Sequence, residues 1–306
     1  MSDPISHQMH FLSAETARSS EQTILVKAYA KINLGLEVLR KRTDGYHDIN
    51  TIFARIGLHD TLEITPRDET TIRLSCTPSL DIPHNENLVW KVATALQKHI
   101  PSSNLYHGAD IFLTKHIPTG AGLGGGSSDA AYTLMTLAQC WNITSREILH
   151  AIAAQHGSDI PFFLLNTMCA LGTSRGETLT PLPTPREFSQ LYLVLCFPGI
   201  SVSTPRAYSA IQRTHERPAT DLSVLLQNPQ NLFRSMVNDF ELPVFTEFPL
   251  LAELQKSLEH HGAFRSWMSG SGSTIVGIFD NTKTAHDCAG SIQEKYQIKT
   301  HLTVFA

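Results

Sequence analysis

Five of the seven positions from 120 to 126 are glycine: Gly120, Gly122, Gly124, Gly125 and Gly126, within "HIPTGAGLGGGSSDAAYTL". Glycine loses more backbone freedom on folding than any other residue, so such a run asks for a use. A slack linker expects polar or disordered flanks, but here a strand-like stretch ending in Ile117-Pro118 runs in and a helical pattern runs out. A dinucleotide turn is suggested by Gly120-x-Gly122-x-x-Gly125, yet it needs a second parallel strand ending in an acid after the helix. The next acid considered, Glu147, sits in the first turn of another helix instead. A phosphate cradle needs backbone N–H groups close to an anion and a helix N-terminus behind them. Glycines followed by Ser127, Ser128 and a helix meet that need, and the missing Gly-Lys-Ser/Thr excludes a Walker loop.

Other groups able to do chemistry lie far from this run in the chain. Asp159 in "HGSDIPFF" reads equally as a general base or as the cap of a helix with Pro161 in its first turn. Lys31 and Asn33, two residues apart, share one face of an alternating stretch. A strand lysine is by itself most simply a solvated charge. "SGSGST", Ser269 to Thr274, is a second glycine turn feeding a strand. Tyr46 and His47 follow an Asp-Gly turn, where simple turn packing would account for them.

These groups need elements to hold them. Ile24 to Leu39 alternates with period two, as one or two strands with a polar face. "NTIFARIGL", "DTLEITP", "TIRLSC" and "ADIFLTKHI" read as further strands, "NENLVWKVATALQKHI" as a helix capped by an Asn. "SSDAAYTLMTLAQCW" reads as a helix, and "TSREILHAIAAQH" as another opened by a Thr144–Glu147 capping box. After Gly172, "SRGETLTPLPTPREF" looks like a crossover into a second domain. That domain shows strands at "LYLVLCFPG", "STIVGIF" and "THLTVFA", and helices near Pro205–Arg213, at Pro249–His261 and from Thr282. The expected architecture is α+β in two layers with mostly antiparallel sheets.

Composition narrows the function classes. At 306 residues two domains are expected, and 17% charged residues with a net charge of −4 leave no basic footprint for nucleic acid. Five scattered cysteines without a Cys-x-x-Cys pair argue against a disulfide framework and a zinc site. The longest apolar run, "LYLVLCF", is too short for a bilayer. Residues 1–22 carry acids and no apolar core, so a mobile extension is expected rather than a signal peptide, and the cytoplasm is the default location.

"PTGAGLGGGSSDAA", with "AKINLGL" before it and "SGSGSTIVGIF" after it, resembles the GHMP kinases, small-molecule kinases named for galactose, homoserine, mevalonate and phosphomevalonate. "RTDGYHDINTIF", "ENLVWKVA", "GSDIPFFL", "PGISVSTPRAY" and "MSGSGST" narrow the resemblance to the branch whose alcohol substrate bears a cytidine diphosphate, in isoprenoid precursor synthesis. It runs from about Ile24 to Ala306. Tyr29 departs from it, standing where the family has Pro, as does Ala121, which replaces a loop glycine.

The resemblance implies a two-domain α+β GHMP kinase fold: a ribosomal-protein-S5-like ATP-binding domain over 23–172 and a ferredoxin-like domain over 173–306. It implies ATP with Mg²⁺, a monomer or weak homodimer, and neither nucleic acid nor membrane as partner. Lys31 and Asp159 would be catalytic, the lysine holding the carboxylate ionised. Pro118, Thr119, Gly120, Ala121, Gly122, Leu123, Gly124, Gly125, Gly126, Ser127 and Ser128 would cradle the phosphates, Ser128 being also a metal ligand to consider. Asn87, Leu88 and Lys115 would lie near adenine and ribose; by themselves they read as helix cap, core and exposed strand charge. Asn33, Tyr46, His47, Phe53, Thr204, Tyr208, Gly270 and Gly272 would meet the substrate. In that set Tyr46 and His47 lie on one side of the base, Tyr208 on the other, and the Gly270 and Gly272 amides on the diphosphate. Another GHMP kinase, of mevalonate or homoserine type, and a non-catalytic nucleotide-binding protein are the alternatives. A base clamp argues against the first, and retention of Asp159 and Lys31 against the second.

Overall fold

The computed structural model describes residues 22–211 and 218–306. The expected N-terminal extension, its last residue apart, and the Arg213 end of one expected helix lie outside them. The first half runs β1 (Ile24–Lys41), β2 (His47–Arg67), β3 (Ile72–Thr77), α1 (Leu88–Gln97), β4 (Gly108–Thr114), α2 (Gly125–Cys140), α3 (Arg146–His156), α4 (Ile160–Leu164), β5 (Cys169–Ser174) and β6 (Thr178–Leu182). The second runs β7 (Tyr192–Phe197), α5 (Thr204–Ala210), α6 (Leu222–Leu226), α7 (Pro229–Ser235), α8 (Glu241–Glu247), α9 (Pro249–His260), β8 (Arg265–Met268), β9 (Ile275–Phe279), α10 (Thr282–Tyr296) and β10 (Lys299–Val304).

The architecture is α+β, the two-domain GHMP kinase fold. Among the described residues one sheet runs β3-β4-β2-β5-β6 with β1 on β2, and the other runs β10-β7-β9-β8. Among the described strands only β3 and β4 pair in parallel, beside an isolated parallel bridge between Leu36 and Asn238. Two expected strands, "NTIFARIGL" and "DTLEITP", are one 21-residue strand, because β1 pairs along nearly its whole length while β5 and β4 take its two ends on the other edge. The Pro- and Thr-rich crossover expected after Gly172 holds β6 instead. The composition shift at Gly172 falls inside β5, and the first sheet runs on to Leu182.

Helix starts follow local chemistry. The Asn87 side chain accepts from the Val89 amide and caps α1, which buries Val89, Val92, Ala93 and Leu96 at helical spacing. The cap of α3 is Ser145, one residue after the expected Thr144, and its hydroxyl donates to Glu147 (2.7 Å). Three apolar clusters result: α1–α4 against the first sheet, α9 and α10 against the second, and a shared one between the sheets. The shared cluster packs Ile32, Leu34 and Ile52 with Leu193, Leu195 and Trp267. Both faces of β1 are therefore covered from Lys31 to Val38, and Lys31, by itself read as a solvated charge, is buried on the strand's polar face.

Candidate active site

A cleft of about 1100 Å³ opens between the sheets, lined by β1, both glycine turns, the segment before α4, α5 and the β1–β2 turn. Lys31 lies at its floor, 4% exposed. Its Nζ donates to Asn33 Oδ1 (2.8 Å), lies 3.4 Å from Asp159 Oδ2, and sits 5.3 Å over the Phe53 ring. Asn33 is held in turn: its Nδ2 donates to Thr51 Oγ1 (2.9 Å), and its carbonyl accepts from Trp267 Nε1 (2.9 Å). Asp159 stands at the N-cap of α4 but makes no side-chain cap bond, so its carboxylate faces the cleft. Of the two readings open for it, the cap is not made.

The first glycine turn enters α2. Gly124, the N-cap, has φ +67 and no side chain to offer, so the first-turn N–H groups have no side-chain cap. A Cβ there would also press on the Lys31 stem at 3.1 Å. The cradle's floor is the lysine itself, whose amide donates to the Leu123 carbonyl (3.0 Å). Ser127 lines the cleft, but Ser128 does not. Its hydroxyl donates to the Tyr29 carbonyl (2.6 Å) and it is fully buried, so its donor is turned to β1 rather than to the cleft.

The second turn sits against the first. A Cβ on Gly122 would come within 2.2 Å of the Ser269 carbonyl, and Thr274 Oγ1 donates to the Ala121 carbonyl (2.7 Å). Inside this turn the Gly272 amide donates to the Ser269 carbonyl (3.1 Å), so it is not free for a diphosphate as expected. Ser271 and Thr204 share a hydrogen bond (2.9 Å) that ties the turn to α5. Sequence reasoning missed its main support, Asn238, whose Nδ2 donates to the carbonyls of Met268 (2.7 Å) and Gly270 (2.8 Å). Next to it, Asp239 Oδ2 accepts from the Val38 amide on β1 (2.6 Å). "VNDFE" carries no periodicity that would have singled it out.

At the far end of the cleft stand Tyr46, His47, Tyr208 and Arg175. His47 and Tyr208, expected on opposite sides of a base, stack on each other at 4.9 Å and 12°. A ring between them would need about 7 Å, two aromatic contact distances. They form one wall. Burial and the nearby Lys41 charge pull the His47 imidazole below its ordinary value, which keeps it neutral at pH 7. Burial, with the Asp159 charge, pushes the Tyr208 phenol up to about 12. Tyr46 is exposed, with the Arg175 guanidinium 4.8 Å from its ring centre. Arg175 was absent from the sequence reading because its stretch read as a crossover.

Pro118, Thr119, Ala121, Leu123, Gly125 and Gly126 complete the first turn without lining the cleft, Ala121 and Leu123 being buried. Asn87, Leu88 and Lys115 also lie outside the lining. Asn87 caps α1. Lys115, read as an exposed charge, is buried: its Nζ pairs with Asp60 and with Asp129 (2.7 Å), directly behind Gly125. Among the described residues no cluster of three or more His, Cys, Asp or Glu is placed to hold a metal ion, and no helix is long and apolar enough to cross a membrane.

Fold and cleft define a small-molecule kinase, and the chain belongs to the GHMP kinase family. The family's N-terminal domain model matches residues 87–167 and its C-terminal model 222–298. The chain is 40% identical over 292 residues to the 4-diphosphocytidyl-2-C-methyl-D-erythritol kinase of Prosthecochloris aestuarii, covering 93% of this chain and 99% of that one. A crystal structure of 4-(cytidine 5'-diphospho)-2C-methyl-D-erythritol kinase superposes with a TM-score of 0.79 at 32% identity, over 92% of this chain and all of that one. Homoserine kinase from Cytophaga hutchinsonii shares the fold at 17% identity, with a TM-score of 0.66 over 96% and 97% of the two chains.

Proposed function

We propose that the chain transfers the γ-phosphoryl group of ATP to the 2-hydroxyl of 4-diphosphocytidyl-2-C-methyl-D-erythritol, a step of isoprenoid precursor synthesis. The observation that carries the chemistry is the Lys31–Asp159 pair at 3.4 Å, its carboxylate uncapped and facing the cleft beside the first glycine turn. Asp159 accepts the proton of the attacking hydroxyl. The hydroxyl oxygen bonds to the γ-phosphorus as the bond from that phosphorus to the bridging oxygen breaks, and ADP leaves. Lys31, held by Asn33, pairs with the Asp159 carboxylate and steadies charge on the substrate oxygen.

The uncapped N-terminus of α2 and the positive-φ glycines before it fit a triphosphate, since N–H groups and dipole meet it without a Cβ in the way. Mg²⁺, when bound, would neutralise charge on the transferring group, and since the described residues hold no cluster of three acids, histidines or cysteines, phosphate oxygens and water would supply its ligands. At the other end the base rests on the open face of Tyr46. His47, neutral, offers one donor and one acceptor to its edge. The Gly270 amide faces the diphosphate.

A coupled ADP-release assay over a panel of alcohols tests this reading. Turnover is expected with the cytidine-bearing substrate. Faster turnover of homoserine or mevalonate would overturn it.

A further inference from the structure

Tyr46 stands on a turn, 57% exposed, where a phenol swings freely between rotamers unless something packs on it. Among the described residues the Arg175 guanidinium packs on it, 4.8 Å from the ring centre. Arg175 is itself fastened. The β5–β6 turn that carries it closes through the Gly176 amide on the Thr173 carbonyl (2.9 Å). Glu177 Oε2 accepts from the Arg175 amide (2.8 Å), and Oε1 lies 3.5 Å from its Nε. This turn is also stitched to the one bearing Tyr46. Arg42 Nη1 donates to Ser174 Oγ (3.0 Å) on one side and to Asp48 Oδ1 (2.9 Å) on the other, while Arg42 Nε pairs with Asp44 (3.0 Å). Asp44 Oδ1 accepts from the Tyr46 amide (3.1 Å). Both Tyr46 and Arg175 line the cleft.

A planar cation on one face of a phenol leaves the other face for a flat ligand and removes rotamer freedom before that ligand arrives. We infer that Arg175 is a positioning residue for the nucleoside half of the substrate: it holds the Tyr46 ring at the cleft mouth so that a pyrimidine stacks on the opposite face. The inference rests on the function proposed above. Arg175 acts through Tyr46 and has no part in the phosphoryl transfer at Asp159.

The test is a double-mutant cycle on the full chain, with KM for the cytidine-bearing alcohol, KM for ATP and kcat read for each variant. Arg175→Ala is expected to raise KM for the alcohol about fivefold, the scale of a partly exposed cation–π contact. KM for ATP, kcat and melting temperature stay within experimental scatter. Arg175→Lys, which keeps a cation on the ring, restores most of the affinity. In a Tyr46→Ala background, Arg175→Ala changes nothing further. A full Arg175→Ala effect in that background would overturn the inference by making Arg175 a direct ligand of the substrate. Unchanged KM for the alcohol in Arg175→Ala, or an equal rise for ATP, would also overturn it while wild-type turnover left the proposed function standing. Absence of wild-type turnover of the cytidine-bearing alcohol would overturn both.

Discussion

Two lysines are buried in this molecule, both against carboxylates, and only one is placed to do chemistry. Lys115 pairs with Asp60 and Asp129, whose side chains are 0% and 2% exposed, and none of the three lines the cleft. Lys31 is buried as deeply, but its carboxylate partner, Asp159, is 30% exposed and faces a cleft. A closed ionic cluster can only hold the chain together, and breaking one partner out of it leaves an uncompensated charge. An ionic pair with one open oxygen can exchange a proton with a ligand. The partner's access to the cleft, rather than the burial of the lysine, separates the two.

Substitutions break that comparison most sharply in the cleft. Asp159→Asn is expected to lower kcat about a thousandfold, the scale of a general base. ATP binding and melting temperature should hold, as measured by calorimetry. Unchanged turnover would remove the base assignment. Next in size, Lys115→Met should cost about 3 kcal/mol of unfolding free energy in denaturant titration. If it left stability intact and abolished turnover, the two lysines would have to exchange roles.

Proton titration gives two smaller effects of opposite sense. His47 is held below its ordinary value, so KM for the cytidine-bearing substrate should be flat above pH about 6.5 and rise as acid charges the ring. His47→Gln should abolish the rise. In the closed cluster, burial pushes the Asp129 carboxyl up despite Lys115. The folded chain then binds more protons than the unfolded one above the ordinary carboxylate range, so its stability should fall as pH rises through that window. Lys115, raised by both acids, remains charged throughout it. Asp129→Asn should flatten the slope, read as melting temperature against pH.

What the sequence showed, and what it hid, follows from distance along the chain. Glycine runs, the Asp-Gly turn and the helical spacing of α1 are local, and each was legible where it stood. The resemblance supplied Lys31 and Asp159 as partners, which no period could. Lys115 was misread because its two acids come from β2 and α2, brought together by strand register. Ser128 looked outward because a helix start favours it, yet the carbonyl of Tyr29 draws it inward. Asn238 and Arg175 reach the site through segments remote in sequence, and no local pattern marks either. The resemblance set Tyr46 and His47 opposite Tyr208, and His47 instead stacks on Tyr208, a contact that no local pattern announces.

The 2.2 Å gap that a Gly122 Cβ would leave to Ser269 makes the two glycine turns backbone-to-backbone neighbours. They are therefore one inheritable part, though almost half of the chain lies between them. Exchanging either turn with that of a distant relative would fail on shape before any question of ligand arose. A functional chimera has to carry both, together with the asparagine that pins the second.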